Sequence, residues 1–147
     1  MDFYRPVKFK AYEFVDRNTY NKFGEDSLKV IDIRMLITMD RIRNYFGKPI
    51  IINNWKSGGN RKWSGLRIYG TPYFSTYSQH SFGRAIDFII NGIDAQEVRN
   101  VIKKSSMITT FEYITSIEDF VGMNWIHIDC RNWDKTNKGL LIFSKQG

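Results

Sequence analysis

Apolar residues along this chain recur at two different periods, and the changes of period mark its elements. Phe9, Tyr12, Phe14 and Tyr20 follow helical spacing, predicting a helix over residues 9–20 with Gly24 beyond as its stop. Leu28, Ile31, Met35, Met39 and Ile42 recur every third or fourth position and form one apolar face. They predict a second helix, capped by Asp26 or Ser27, running to Phe46 and ended by Gly47 and Pro49. The β-branched run within residues 49–53 reads as a short buried strand. Residues 54–76 have no clear period and are rich in Gly, Asn, Lys, Arg and aromatics. A loop this long in a small domain is usually functional or mobile.

Residues 84–90 read as a central strand. Asp94 with Glu97 three residues later forms a capping pattern that opens a helix to about Lys104, where Lys103 and Lys104 suit the negative end of the helix dipole. Residues 111–118 and 124–130 predict two strands joined by a turn at 119–123, and Ile142 with Phe143 predicts a last edge strand. The expected fold is α+β: a small, mostly antiparallel sheet with helices packed on one face. No repeat or linker divides the 147 residues, so a single domain over residues 1–147 is expected.

Composition narrows the class. A hydrophobic share of 42% with 16% aromatics supports a folded core and argues against disorder. No stretch approaches the roughly 20 apolar residues of a membrane span, and the first ten residues lack the apolar core of a secretory signal. Synthesis in a host cytoplasm is expected, with any action at a wall depending on export by another route. Cys130 is the single cysteine, expected as a small buried residue. The net charge of +7 asks for an anionic partner, which nucleic acid and bacterial cell wall both satisfy.

The chemistry concentrates where both histidines lie. Ser78, His80, Gly83, Ala85 and Asp87 fall within ten residues, and Trp125, His127 and Asp129 follow forty residues on. A zinc ion that activates water takes three protein ligands of imidazole and carboxylate type and keeps a fourth position open; His80, Asp87 and His127 supply that set. Strand parity puts Trp125, His127 and Asp129 on one face and Ile126, Ile128 and Cys130 on the other. By the same parity Asp87 faces away from Ile86 and Phe88, so both strands offer their ligands to one surface. Gly83 and Ala85 are expected to let backbones approach closely near the metal.

These two motifs resemble the zinc D-Ala-D-Ala peptidases, peptidase family M15, whose members share a metal-site fold with the Hedgehog signalling domain. Within that family the chain looks most like small members encoded by bacteriophages. The resemblance implies Zn2+ at His80, Asp87 and His127, with Asp129 as a competing carboxylate that instead orients His127, and Ser78 as a supporting group. Ser64, Gly65 and Arg67 match the Ser-Gly-x-Arg segment that often precedes the histidine motif. That match assigns Arg67 to binding a substrate carboxylate or stabilising an oxyanion, with Trp125 in substrate binding.

One position departs from the pattern. Many members carry an acid three residues before the final histidine, and here Asn124 stands there. Glu118 is the expected base in its place, with Asp119 and Glu112 as alternatives. Glu118 reaches the ligand face if the strands pair 118 with 125 and misses it if they pair 118 with 124. The function implied is a zinc metallopeptidase of D,D-carboxypeptidase or endopeptidase type. It would cut peptidoglycan stem peptides as a phage endolysin or virion-associated wall hydrolase, either as a monomer or as part of a phage particle. A non-catalytic wall-binding or virion protein is the alternative that Asn124 permits. A third reading is nucleic-acid binding, in which Lys56, Arg61, Lys62 and Arg67 interleave with Trp55, Trp63 and Tyr69 as a stacking loop; it leaves the histidines unexplained.

Overall fold

A computed structural model describes residues 3–144. Its centre is a five-stranded sheet of β1 (Ile50–Ile51), β2 (Ala85–Ile90), β3 (Ser116–Glu118), β4 (Ile126–Asp129) and β5 (Leu141–Phe143), in the spatial order β1-β2-β4-β3-β5. Every neighbouring pair is antiparallel except β3 and β5, which run parallel, so the sheet is mixed. β2 pairs with a strand on each side, as a central strand must.

The sheet has two unlike faces because side chains alternate along each strand. Ile86, Phe88 and Ile90 of β2, Ile117 of β3 and Ile126 and Ile128 of β4 share one face and are buried to 1% exposure or less. They join one core with Met35, Leu36, Met39 and Ile42 of α2 (Ile33–Phe46) and Val98 and Ile102 of α3 (Ala95–Lys104). The apolar stripes of both helices therefore cover the aliphatic side. Cys130 is buried in the same core.

The capping chemistry explains where helices begin. Residues 9–20 do not form one helix: a 3₁₀ turn at Ala11–Glu13 is followed by α1 (Arg17–Phe23), which starts at Asp16 because its carboxylate accepts from Thr19 N at 3.1 Å. Phe9 and Phe14 owe their helix-like spacing to edge-on packing in the core, with ring centroids 5.7 Å apart. The second helix likewise begins later than Asp26 or Ser27 predicts. Residues 24–30 form 3₁₀ turns, and Asp32 caps α2 through Arg34 N at 2.9 Å. Both stops fall where glycine allows an unusual backbone, at Gly24 and at the left-handed Gly47. α3 runs from a cap at Asp94 to Lys104 as its pattern predicts.

Two further expectations change. Residues 111–115 are not strand, because a 3₁₀ turn at Thr109–Phe111 occupies their start; Lys135 Nζ, in the short α4 (Lys135–Lys138), donates to the carbonyls of Phe111 at 3.0 Å and Ser106 at 2.6 Å. Part of the 54–76 loop is also fixed rather than free. Ser64 N donates to Asn53 Oδ1, Leu66 N to Phe14 O and Arg67 N to His80 O, which sets residues 64–67 against the sheet. Gly65 lies so close to the Phe14 carbonyl that any side chain there would collide with it.

Candidate metal centre

The polar face of the sheet carries the site. Asp87 of β2 and His127 of β4 are direct cross-strand partners, so the ladder places their side chains next to each other. His80 arrives from a 3₁₀ turn (Gln79–Phe82) capped by Ser78, whose hydroxyl accepts from His80 N at 3.3 Å. The turn ends at Gly83, which has φ +68° and faces the Val30 carbonyl too closely for a side chain. The close approach expected at Gly83 is therefore to the backbone at Val30 and Ile31, where the 3₁₀ turns end. Ala85 sits opposite Asp129 in the ladder.

One ligand atom each from His80, Asp87 and His127 lies within 4.8 Å of the others, and all three residues are buried. Asp87 Oδ1 is 2.8 Å from His127 Nδ1 and 3.3 Å from His80 Nε2. The outer ring nitrogens define which atoms face inward. His80 Nδ1 donates to the Gly65 carbonyl at 2.8 Å, which leaves the lone pair on Nε2. His127 Nε2 donates to Asp129 Oδ2 at 3.0 Å, so Nδ1 is the atom turned to Asp87. Asp129 is fixed in turn by the Arg131 fork, with Nε at 2.8 Å from Oδ1 and Nη2 at 2.6 Å from Oδ2.

Two imidazole lone pairs and a carboxylate oxygen at these distances repel one another unless positive charge lies among them. A protonated His127 would supply it. Burial works against that charge, but the hydrogen bonds to Asp129 and Asp87 outweigh it and lift the imidazole to about 10. Burial would likewise raise Asp87, yet its bonds to His127 and His80 hold it well below the ordinary carboxylate range. For Asp129, Arg131 and His127 overcome the same burial penalty and hold the carboxyl at about 2. A divalent cation fits this donor set: two nitrogens and one carboxylate oxygen, each imidazole with its other nitrogen anchored.

A family model described as Peptidase M15 matches residues 7–129, which include all three of these side chains. The chain belongs to peptidase family M15. No curated protein and no solved structure matches it. Family membership makes the chain a metallopeptidase in general terms, and His80, Asp87 and His127 form a buried cluster within the matched residues that could hold a metal ion.

The cleft above this M15 centre has a volume of about 320 Å³, and Arg67, Tyr77, Gln79, Glu118, Trp125 and Arg131 help to line it. Strand register brings Glu118 there. Ser116 pairs with Asp129 and Ile117 with Ile128, so Glu118 continues the ladder opposite His127. That differs by two residues from a pairing of 118 with 125 and keeps Glu118 on the ligand face. The alternative acids lie elsewhere. Asp119 is held by Lys103 at 2.6 Å and Gln96 at 3.0 Å, and Glu112 by Arg41 at 2.7 Å. Asn124 is exposed and does not line the cleft.

Arg67 borders the centre with Nη2 at 3.1 Å from Asp87 Oδ2 and Nε at 2.8 Å from the Trp63 carbonyl. Trp125 stands at the rim, 38% exposed. Two contributors were not legible in the chain. Arg131, two residues past Asp129, carries no motif signal, and its fork holds Asp129. Arg99, 1% exposed on α3, donates to the carbonyls of Trp125 at 2.7 Å and Met123 at 3.0 Å, which fixes the backbone leading into β4. Of the residues in the nucleic-acid reading, Trp55 is buried with its indole N–H on the Val15 carbonyl and Arg67 is turned to Asp87, whereas Lys56, Lys62 and Tyr69 are exposed.

Proposed function

We propose that the chain is a zinc peptidase that hydrolyses peptide bonds in peptidoglycan stem peptides, as a phage endolysin or virion-associated wall hydrolase. The observation that carries this reading is the convergence of His80 Nε2, Asp87 Oδ1 and His127 Nδ1 at the floor of a cleft that also holds an acid, Glu118. When bound there, zinc supplies Lewis acidity toward a peptide carbonyl and acidifies water. His80, Asp87 and His127 hold the ion, and Asp129 with Arg131 keeps the His127 ring in its binding orientation.

Glu118 takes the proton from the attacking water and returns it to the leaving amine, the task that an acid three residues before the final histidine performs elsewhere in the family. Arg67, pinned by Asp87 and Trp63, keeps Nη1 for the negative charge that develops on the carbonyl oxygen. Trp125 offers an apolar wall to the substrate. A wall substrate is supported by the resemblance to small phage members and by the net charge of +7, which favours approach to anionic wall polymers. No helix among the described residues is long and apolar enough to cross a membrane.

The test is digestion of purified muropeptides by the zinc-loaded chain, with products read by mass spectrometry. New peptide fragments are expected. A chain that holds zinc and leaves every muropeptide intact would instead be a wall-binding or virion protein without catalysis.

A further inference from the structure

We propose that residues 68–77 form a docking platform for an uncharged polysaccharide, the amino-sugar strand from which wall stem peptides hang. The choice of strand rests on the wall reading of the metal cleft, but the platform lies beside that cleft and needs no catalysis to bind.

The segment differs from the rest of the chain in composition. The whole chain is 25% charged, yet residues 68–79 hold no Lys, Arg, Asp or Glu and consist mostly of Tyr, Thr, Ser, Gly and Pro. Its aromatic rings are bare: Tyr69 is 88% exposed, Tyr73 75% and Tyr77 86%. Single apolar residues are ordinary on a surface, whereas several on one short segment mark a contact site.

Local structure holds these rings outward. Three turns follow one another, closed by Thr71 N on the Ile68 carbonyl at 3.2 Å, Phe74 N on the Thr71 carbonyl at 3.3 Å and Ser78 N on the Ser75 carbonyl at 3.1 Å. Ser81 Oγ donates to the Ser75 carbonyl at 2.6 Å, which ties the segment to the turn that carries His80. Tyr69 packs edge-on against Phe74, with ring centroids 5.6 Å apart. Tyr73 has φ +63°, a left-handed backbone that bulky residues seldom adopt; among the described residues it is the one non-glycine that does so. Strain of this kind, kept at an exposed residue, points to function.

The chemistry selects the ligand. A pyranose ring offers C–H bonds on its faces, which lie against the electron-rich face of an aromatic ring. Its hydroxyls pair with those of Ser, Thr and Tyr. Neither contact requires charge. Nucleic acid and anionic lipid both call for Lys or Arg at the contact, and this segment has none. Position agrees with chemistry. Tyr77 lines the cleft with His80 and Glu118, and Tyr73 lines a neighbouring cavity of about 360 Å³ that shares Arg67 and Trp125 with it. A strand along the tyrosines follows the rim of the cleft that its peptide branches would enter.

The test titrates the zinc-loaded full chain with a peptide-free tetrasaccharide of β-1,4-linked N-acetylglucosamine, read by NMR of the tyrosine rings. Anionic phospholipid vesicles are the second probe. Saturable binding of the sugar is expected, with none of the vesicles. The double variant Tyr69→Ala with Tyr73→Gly should weaken sugar binding by about tenfold or more. Glycine suits the backbone at position 73, so this variant keeps the fold. Tyr69→Trp, which retains a ring, should bind as the parent does. In digestion, Tyr69→Ala should raise KM about tenfold for a stem peptide still attached to its glycan and leave KM for the free peptide unchanged; Tyr69 lines neither cavity. No sugar binding, binding of vesicles alone, or full affinity in the double variant would overturn the proposal, as would equal KM changes on both substrates. Sugar binding through these tyrosines by a chain that cuts no muropeptide would uphold the platform and overturn the peptidase reading.

Discussion

Glu118 and Asp119 are consecutive acids at the end of β3, yet they belong to different parts of the molecule. Glu118 lines the cleft on the His127 face of the sheet. Asp119 turns to α3, where Lys103, Gln96 and the buried Arg99 surround it. In the proposed mechanism the same residue chemistry serves catalysis at one position and structure at the next, and strand parity alone separates them. Arg99 ties the two regions together, since it meets Asp119 at 3.3 Å and also holds the Trp125 carbonyl next to β4.

Exchanging the two acids for their amides should separate the regions. Glu118→Gln keeps the shape and removes the proton acceptor, so turnover should fall by about 100-fold or more, the scale of general acid–base assistance. Zinc content and the urea midpoint should stay at parental values. Loss of zinc or of folding in this variant would make Glu118 structural and erase the contrast.

Asp119→Asn should do the reverse. It leaves Lys103 and the buried Arg99 without their carboxylate, and a loss of about 1–3 kcal/mol in urea unfolding is expected, with a much smaller effect on turnover. The pH dependence gives a sharper reading. Burial would raise the Asp119 carboxyl, but Lys103, Gln96 and Arg99 outweigh it and hold it below its ordinary value. Its contribution is therefore present above the unfolded carboxylate range, near ~3.9, and is lost as pH falls through the lower folded value. The parent should lose stability over that acid window and the asparagine variant should lose less of it. Equal slopes would detach Asp119 from the cluster.

Glu112→Gln is the mildest change. Its pair with Arg41 is partly exposed, and a stability change within about 1 kcal/mol with full activity is expected. A large fall in turnover would reopen Glu112 as the acid.

Much of this was legible in local pattern. β2, α3 and the stops at Gly24 and Gly47 follow from β-branched runs, an Asp cap and glycine freedom, which act over a few residues. Alternation alone places His127 and Asp87 on one face. The rest depends on distant partners. The start of α1 is masked by Phe9 and Phe14, whose spacing reflects packing against each other and the core. Lys135 shapes residues 106–112 from more than twenty positions away. The β3–β4 register decides whether Glu118 or Asp119 meets the cleft, and nothing in residues 119–123 specifies it. Arg99 sits in an amphipathic helix where a charged residue reads as solvated, and only the fold shows that it is buried beneath the site.

Zinc stoichiometry tests the metal centre most directly. Elemental analysis of the purified chain, of His80→Ala and of His127→Ala, each checked for folding by circular dichroism, measures it without any assumption about substrate. The account predicts one zinc per chain in the parent and almost none in either folded variant, because two remaining ligands seldom hold the ion. Full zinc occupancy in both variants, or none in the parent, would contradict it.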